Sequence, residues 1–428
     1  MARRRVSELV AGMVLSEDVV TPGGRFLMPR GTTLDAGHLK SLLAWNVPEA
    51  AVDGAVSRLG QDAPADAGEV AATTEAAETV VRERLCRLDL DHEAGLMLWH
   101  LAVNREAERL ARRDPAPSPE ADFRQPAPAD RTLPPVTVEG MLHNEPQLVS
   151  PPEVYGRISR VLRDPKSTVE DAAEAIRHDQ SLAAKLLRLV NSSFYSRTMR
   201  AVHGRFPAKV DSLSRAVLVV GGRQLSTLAL GVSVLPLFQD IPQGWVNMRL
   251  FWEHSVGCAV AAQAISGATG RGNPEAAFVG GLMHDIGRII LFKQAPHHMA
   301  AAMRQALDDR QPLAVVERQI LGFDHAALGG ALLHKWEFPA NLETMVCEHH
   351  ALRDGAERDA AAVIHLADIV ANAMAWGGSG SRYAPPLDLG AWDRLGLAAG
   401  ALSALLPGME ASLGETMIGF FPEDGGRT

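Results

Sequence analysis

Residues 281–292, GLMHDIGRIILF, set His284 and Asp285 into an otherwise apolar run. A compact fold buries such a run, and a buried polar pair without partners costs roughly 2–7 kcal/mol per group. The chain must therefore bring other polar groups to this point. Nine of the fifteen histidines fall between 254 and 365, which makes that quarter of the chain the place to look.

Bulk properties narrow the field of functions. A net charge of −9 argues against a nucleic-acid partner, because phosphate-backbone affinity comes from clustered Lys and Arg. Arg3-Arg4-Arg5 opens the chain, but charged residues interrupt the following VSELVAGMVLSEDVV before any signal-peptide core is reached. No stretch approaches the roughly 18 unbroken apolar residues of a membrane helix. Cys86, Cys258 and Cys347 are odd in number, widely spaced and without a CxxC pair, so neither a disulfide framework nor a thiolate metal site is expected. A cytoplasmic protein is the expectation. With 46% hydrophobic, 22% charged and only 5% aromatic residues, the 428-residue chain reads as an α-rich protein of two or three units.

Residues 1–58 read as a small α/β module. GMVLSEDVV alternates apolar and polar residues, TPGG is a turn, RFLMP resumes a strand, AGHLKSLLAWN has helical spacing, and EAAVDG closes with a short strand. Residues 59–79, rich in Ala and Asp, are expected as a flexible linker and 80–113 as a helical connector. Residues 114–135 hold seven prolines and read as a semi-rigid linker. From about 140 to 375 the chain is a string of helices. One starts near Pro151 and runs to Arg163. Thr168 with Asp171 forms a capping box for VEDAAEAIRH, and Asp179 caps QSLAAKLLRLVN, which Asn191 ends. The tail, 377–428, has Gly-rich patches flanking one expected helix, Gly390 to Leu406.

Helical spacing sorts the histidines. His254 sits in the helix FWEHSVGCAVAAQAI, His284 and Asp285 in the apolar run, and His325 near the start of a helix that Asp324 or the preceding Gly-Phe begins. His349 and His350 end NLETMVCEHH. In AAVIHLADIVANAMAW, His365, Asp368 and Asn372 share one stripe, while Val363, Ile364, Ile369 and Val370 form the core face. Imidazole and carboxylate suit iron, manganese or zinc, and one Asp can bridge two cations. A pair of ions roughly 3.5–4 Å apart can activate a shared water and clamp a phosphoester. The sequence has no G-x-S-x-G, Walker or G-x-G-x-x-G motif to support another chemistry. His297, His298 and His334 read as surface or helix-end residues.

In order, His254, His284-Asp285, His325, His349-His350 and Asp368 resemble the HD metal-dependent phosphohydrolase superfamily, with HDIGR and HHALRDG nearest its HD-GYP branch. LLRLVNSSFYS (186–196), SLSRAVLVVGGRQLSTLAL (212–230) and FWEHS (251–255) together resemble the HDOD domain, the HD-related output domain of bacterial signalling proteins. The resemblance implies a mainly α fold: an all-α HD-type domain over 136–376, preceded by the α/β module and the helical, proline-rich connector. In the N-terminal module, Gly12-Met13, Asp18-Val19, Pro29, Gly31-Thr32 and Trp45 are similar to a segment found ahead of HD-GYP domains.

The departures are specific. Ala351 stands where HD-GYP enzymes carry a Glu, no Gly-Tyr-Pro follows, Arg288 replaces a phosphate-contacting Lys, and Leu250 replaces an acidic ligand one turn before the first His. HDOD domains generally have no established hydrolase activity, yet nearly all the ligand positions are kept here. The resemblance therefore implies a signalling or regulatory protein whose HDOD domain serves as a protein-interaction output module. The alternative is a phosphohydrolase acting on a nucleotide or cyclic dinucleotide. A third reading is a sensor of nucleotide or metal without turnover. The implied metal ligands are His254, His284, Asp285, His325, His349, His350 and Asp368, holding two divalent ions, Fe or Mn before Zn, or none. Arg288 would touch phosphate or pair with an acid, and His365 would orient a ligand.

Overall fold

The computed structural model describes most of residues 2–52, then 67–112, 133–144, 153–192 except 165, 210–235 except 234, 246–353 and 358–421. The proline-rich stretch therefore lies largely outside the described residues, as do TPGG and most of AGHLKSLLAWN, of which His38 and Leu42 are helical.

In the N-terminal module, β1 (Ala2–Arg5) pairs antiparallel with β4 (Glu49–Val52), Ala2 opposite Val52 and Arg5 opposite Glu49. The opening arginines thus lie in a strand. Arg3 faces solvent and reaches Glu17 and Glu49 at 3.2 and 3.1 Å. A second antiparallel pair joins β2 (Val19–Val20) to β3 (Phe26–Met28). Leu15, Val19, Leu27, Met28, Leu34, Leu42, Val47 and Val52 make a small core of their own.

The expected flexible linker is helical over half its length. Helix α1 (Ala67–Arg84) covers its second half, because Ala and Glu favour helix and Ala77 and Val81, four apart, are fully buried. Alanine-rich sequence hides such a stripe, since Ala is apolar enough to pack without marking a face. α1 pairs with α2 (Glu93–Ala111), which buries Ala94, Met97, Leu98, Leu101 and Ala102 and packs on β3. Buried Glu106 receives Arg84 at 3.3 Å and Arg109 at 2.5 Å, so the hairpin is locked by charge as well as by apolar contact.

The helical body follows. α3 (Val138–Asn144) leads to α4 (Glu153–Arg163), α5 (Val169–Arg177), α6 (Gln180–Val190), α7 (Leu213–Val220) and α8 (Gly222–Ser233), the last five packed on one another. The capping box of α5 forms between Thr168 and Asp171, and Asp179 caps α6. The Asn191 amide donates to Leu187 O and Val210 O at 2.7 Å and accepts from Val210 N, clipping the chain ends together.

The centre is α9 (Met248–Thr269), apolar all round and therefore enclosed by α10 (Pro274–Met283), α16 (Arg358–Ala373) and α18 (Ala399–Phe420). Between α10 and α16 run α11 (Ile286–Gln294), α12 (Pro296–Asp308), α13 (Leu313–Leu321), α14 (His325–Lys335) and α15 (Ala340–Glu348). His298, expected at the surface or a helix end, lies in the first turn of α12 but is buried, with Nε2 2.8 Å from Pro134 O. The tail also differs from expectation. Gly396 adopts left-handed φ (+61°) and ends α17 (Leu389–Leu395), and α18 then continues through Pro407 to Phe420. Burial of Met409, Leu413, Met417 and Phe420 carries that helix past a proline that costs about 3 kcal/mol in a helix interior.

Glycines let the helices around the His-Asp run approach. A Cβ at Gly281 would stand 2.7 Å from Ala259 Cα, and one at Gly287 only 2.0 Å from His325 O. Gly287→Ala must separate α11 from α14, and we expect a loss of about 3 kcal/mol in urea unfolding. An unchanged midpoint would show that the contact is looser than the backbone positions indicate.

Candidate metal centre

Helix ends deliver most of the centre. His284 closes α10, Asp285 is the residue before α11, His325 is the first residue of α14 behind its Asp324 cap, and His349 and His350 follow α15. His254 and Asp368 come from the interiors of α9 and α16, two helices packed on each other in the core. Six of these seven side chains are buried and His350 is half-buried. Ligand atoms fall into three overlapping groups: Asp285, His325, His349 and His350; His254, His284 and Asp285; and His284, His349 and Asp368. Within each group they lie within 4.8 Å of one another. All seven predicted ligands thus meet in one place.

Partners outside the centre assign the tautomers. His284 Nδ1 is 2.7 Å from Gly281 O and His349 Nδ1 is 2.8 Å from Val346 O. Each carbonyl can only accept, so each Nδ1 carries hydrogen and donates. In the neutral ring Nε2 is then a lone pair aimed inward. His325 Nδ1 faces the Glu317 carboxylate at 2.5 Å, with the same consequence. These lone pairs look at further acceptors: His284 Nε2 at Asp285 Oδ2 (3.2 Å), and His325 Nε2 at Asp285 Oδ1 (2.9 Å) and at His350 Nε2 (3.1 Å). His254 Nε2 stands 3.2 Å from Asp368 Oδ1. His254 Nε2, His284 Nε2, His349 Nε2 and Asp285 Oδ1 are buried without a hydrogen-bond partner. Acceptors gathered around one point need either protons or a cation.

Electrostatics follow from this crowding. Burial disfavours the His284 imidazolium, but Asp285 and then Cys258 lift its pKa well above the ordinary value. Burial and Arg288 both work against charge on His325, yet Glu317 and Asp285 raise it to about 8. Burial, aided by His284 and His325, depresses His349 to about 3, and His350 falls in the same direction. Asp285 and Asp368 remain ionised against burial. Arg288 and His284 depress Asp285, and the adjacent His254 and His284 imidazoles depress Asp368.

Arg288 is turned inward. Nη1 bonds Asp285 Oδ2 at 2.9 Å and Ser379 Oγ, and Nε lies 3.5 Å from Glu317 Oε1, all buried. His365 is not among the converging ligands. Its Nδ1 donates to His349 O at 2.7 Å and its Nε2 accepts from Asp388 N at 3.0 Å, so it ties the paired-histidine turn to the N-cap of α17. Asn372, on the same stripe, donates to Asp368 Oδ1 at 2.7 Å. Leu250, where the resemblance expects an acid, contributes its carbonyl to Gly378 N at 2.9 Å, folding the 377–388 loop back over α9.

Sequence reading missed Glu317, Ser379 and Asp388. Glu317 was the most discoverable, a lone acid in the apolar run LAVVERQIL. It is eight residues before His325, and only the left-handed turn at Gly322 brings the two together.

Comparison with known proteins agrees with this architecture. Residues 148–352 match the family model of the HDOD domain, so the chain carries an HDOD domain there; Asp368, His365 and Ser379 lie beyond the match. An HDOD domain protein from Geobacter sulfurreducens superposes with a TM-score of 0.52 at 22% identity, over 64% of this chain and 93% of that one, and shares the fold. An uncharacterized protein of Treponema pallidum (strain Nichols) is 24% identical over 213 residues, 50% of this chain; the match spans 39% of that relative's length. Among the described residues, no single helix is long and apolar enough to cross a membrane.

The tautomers fix the pH dependence of cation uptake. Without a cation, His284 and His325 hold protons at neutral pH, and each must lose one before Nε2 can ligate. Divalent-metal affinity, measured by equilibrium dialysis of chelator-treated protein, should therefore rise from about pH 6 to about pH 9, with a step near the His325 value of about 8. A flat profile would contradict the assignment.

Proposed function

With an HDOD domain at 148–352 as premise, we propose that this chain is a signalling or regulatory protein. Its HDOD domain serves as an output module that docks other signalling proteins, and its HD-type cluster holds a divalent metal. The observation that carries the metal reading is the convergence of the seven side chains in three overlapping groups, with His254 Nε2, His284 Nε2, His349 Nε2 and Asp285 Oδ1 buried and without a hydrogen-bond partner. The donor set is imidazole and carboxylate, which suits Fe or Mn, then Zn. His254, His284, Asp285, His325, His349, His350 and Asp368 would hold it.

An interaction role fits the closure of the site. A substrate phosphate needs a cation free to meet it, and Arg288 is already engaged by Asp285, Ser379 and Glu317. Of the seven, only His350 is half-buried.

One observation favours a second reading, metal-dependent hydrolysis of a nucleotide or cyclic dinucleotide. Asp285 belongs to two of the three ligand groups, with Oδ1 facing His325 and Oδ2 facing His284 and His254. That sharing suits a carboxylate between two ions. A bound divalent pair would supply Lewis-acid polarisation of the phosphoester and a water acidic enough to ionise near neutrality. This chain's own residues would keep the imidazoles neutral and correctly turned, through Gly281 O, Val346 O and Glu317, and exclude bulk water with the 377–388 loop.

Metal analysis of the purified chain should find stoichiometric divalent metal, absent from a His284→Ala/Asp285→Ala variant. The loaded protein should leave a generic phosphodiester and cyclic di-GMP intact. Metal-dependent turnover, lost in that variant, would replace the first reading with the second, and a metal-free parent at neutral pH would remove the metal centre and the second reading while leaving the docking role.

A further inference from the structure

Two buried charges beside the centre that the metal reading does not use, Glu317 and Arg288, are joined to it in a closed circuit. Asp285 Oδ1 meets His325 Nε2 at 2.9 Å, His325 Nδ1 meets Glu317 Oε2 at 2.5 Å, Glu317 Oε1 lies 3.5 Å from Arg288 Nε, and Arg288 Nη1 returns to Asp285 Oδ2 at 2.9 Å. Glu317 Oε2 also accepts from the His325 backbone N–H at 2.9 Å, the first free amide of α14. One carboxylate therefore fixes both the position of the His325 backbone and the rotation of its ring.

We propose that Glu317, with Arg288, is a positioning pair for the metal centre, holding His325 as an Nε2 donor and Asp285 with Oδ1 directed at it. This rests on the metal reading above and assigns work to two residues that are not ligands. The alternative, that Glu317 merely neutralises Arg288, does not account for its geometry. Its shorter contacts are both to His325, and the Arg288 contact is the longest in the circuit. Nor is it a ligand, since Oε2 lies on the Nδ1 side of the ring, facing away from the converging Nε2 atoms.

The circuit constrains where charge can go. Glu317 is wholly buried, and a carboxylate on the far nitrogen makes the near nitrogen a stronger donor. Arg288 in turn occupies one lone-pair direction of Oδ2 and leaves Oδ1 to the His325 group. Removing either member frees a buried partner to turn, which disturbs the group formed by Asp285, His325, His349 and His350 and leaves His254 and Asp368 in place.

The test titrates the metal-free, full-length protein with Co(II), read by visible absorption, beside Glu317→Gln and Glu317→Ala. The amide of Gln keeps an acceptor for His325 Nδ1–H but loses the charge; Ala loses both. We expect Co(II) affinity to fall roughly 10-fold in the Gln variant and towards 100-fold in the Ala variant, with an altered ligand-field spectrum in each. Should Ala at this buried site prevent folding, Gln alone decides. Ile158→Val, a buried change on α4, controls for stability loss without a positioning role and should leave affinity and spectrum unchanged. Parental affinity and spectrum in folded Glu317→Gln overturn the inference while the metal reading stands. Absence of Co(II) binding by the parent overturns the metal reading and this inference together.

Discussion

The structure turns on how Asp285 is kept ionised inside the core. A lone buried carboxylate would neutralise, since its solvation is worth far more than the stability of a domain. Here Arg288 is 2.9 Å from one oxygen, and two imidazoles approach the carboxylate within 3.2 Å. Each of those groups is anchored from behind: His284 by Gly281 O, His325 by Glu317, Arg288 by Glu317 and Ser379. The surrounding helices are arranged so that their ends supply these groups. Glycines at 281 and 287 allow the close approach that the contacts require.

The same arrangement explains why the centre is shielded. α9 crosses beneath it, α16 lies alongside, and the 377–388 loop returns over α9 through the Gly378 bond to Leu250 and the Asp388 bond to His365. Replacing one partner in such a network leaves another charge buried and unpaired, typically at a cost of 3–5 kcal/mol, so geometry and stability are coupled. In the same network the Arg288 guanidinium is engaged by Asp285, Ser379 and Glu317.

Much of the centre was legible in the sequence. His254, His284, Asp285, His325, His349, His350 and Asp368 were readable as one set from residue type, order and helical spacing, and their side chains converge. The capping box at Thr168 and Asp171, the cap at Asp179 and the closing role of Asn191 were legible because each depends on residues three or four apart, or on a helix end. The second half of the 59–79 linker was misread because Ala77 and Val81 mark only a narrow stripe in alanine-rich sequence. The tail helix was misread because Pro407 suggests a stop that burial of Met409 and Phe420 overrides.

The sequence by itself determined the ligand types and the helices that carry them, because both follow from local chemistry and a period of 3.6 residues. Only the tertiary structure decided which nitrogen of His325 faces inward, since that depends on Glu317, brought behind the ring from the preceding helix. It also decided that Arg288 reaches Ser379 and Glu317 and that His365 holds the His349 backbone. Those choices rest on contacts between groups up to 91 residues apart, as for Arg288 and Ser379, and no local pattern encodes a distance of that kind.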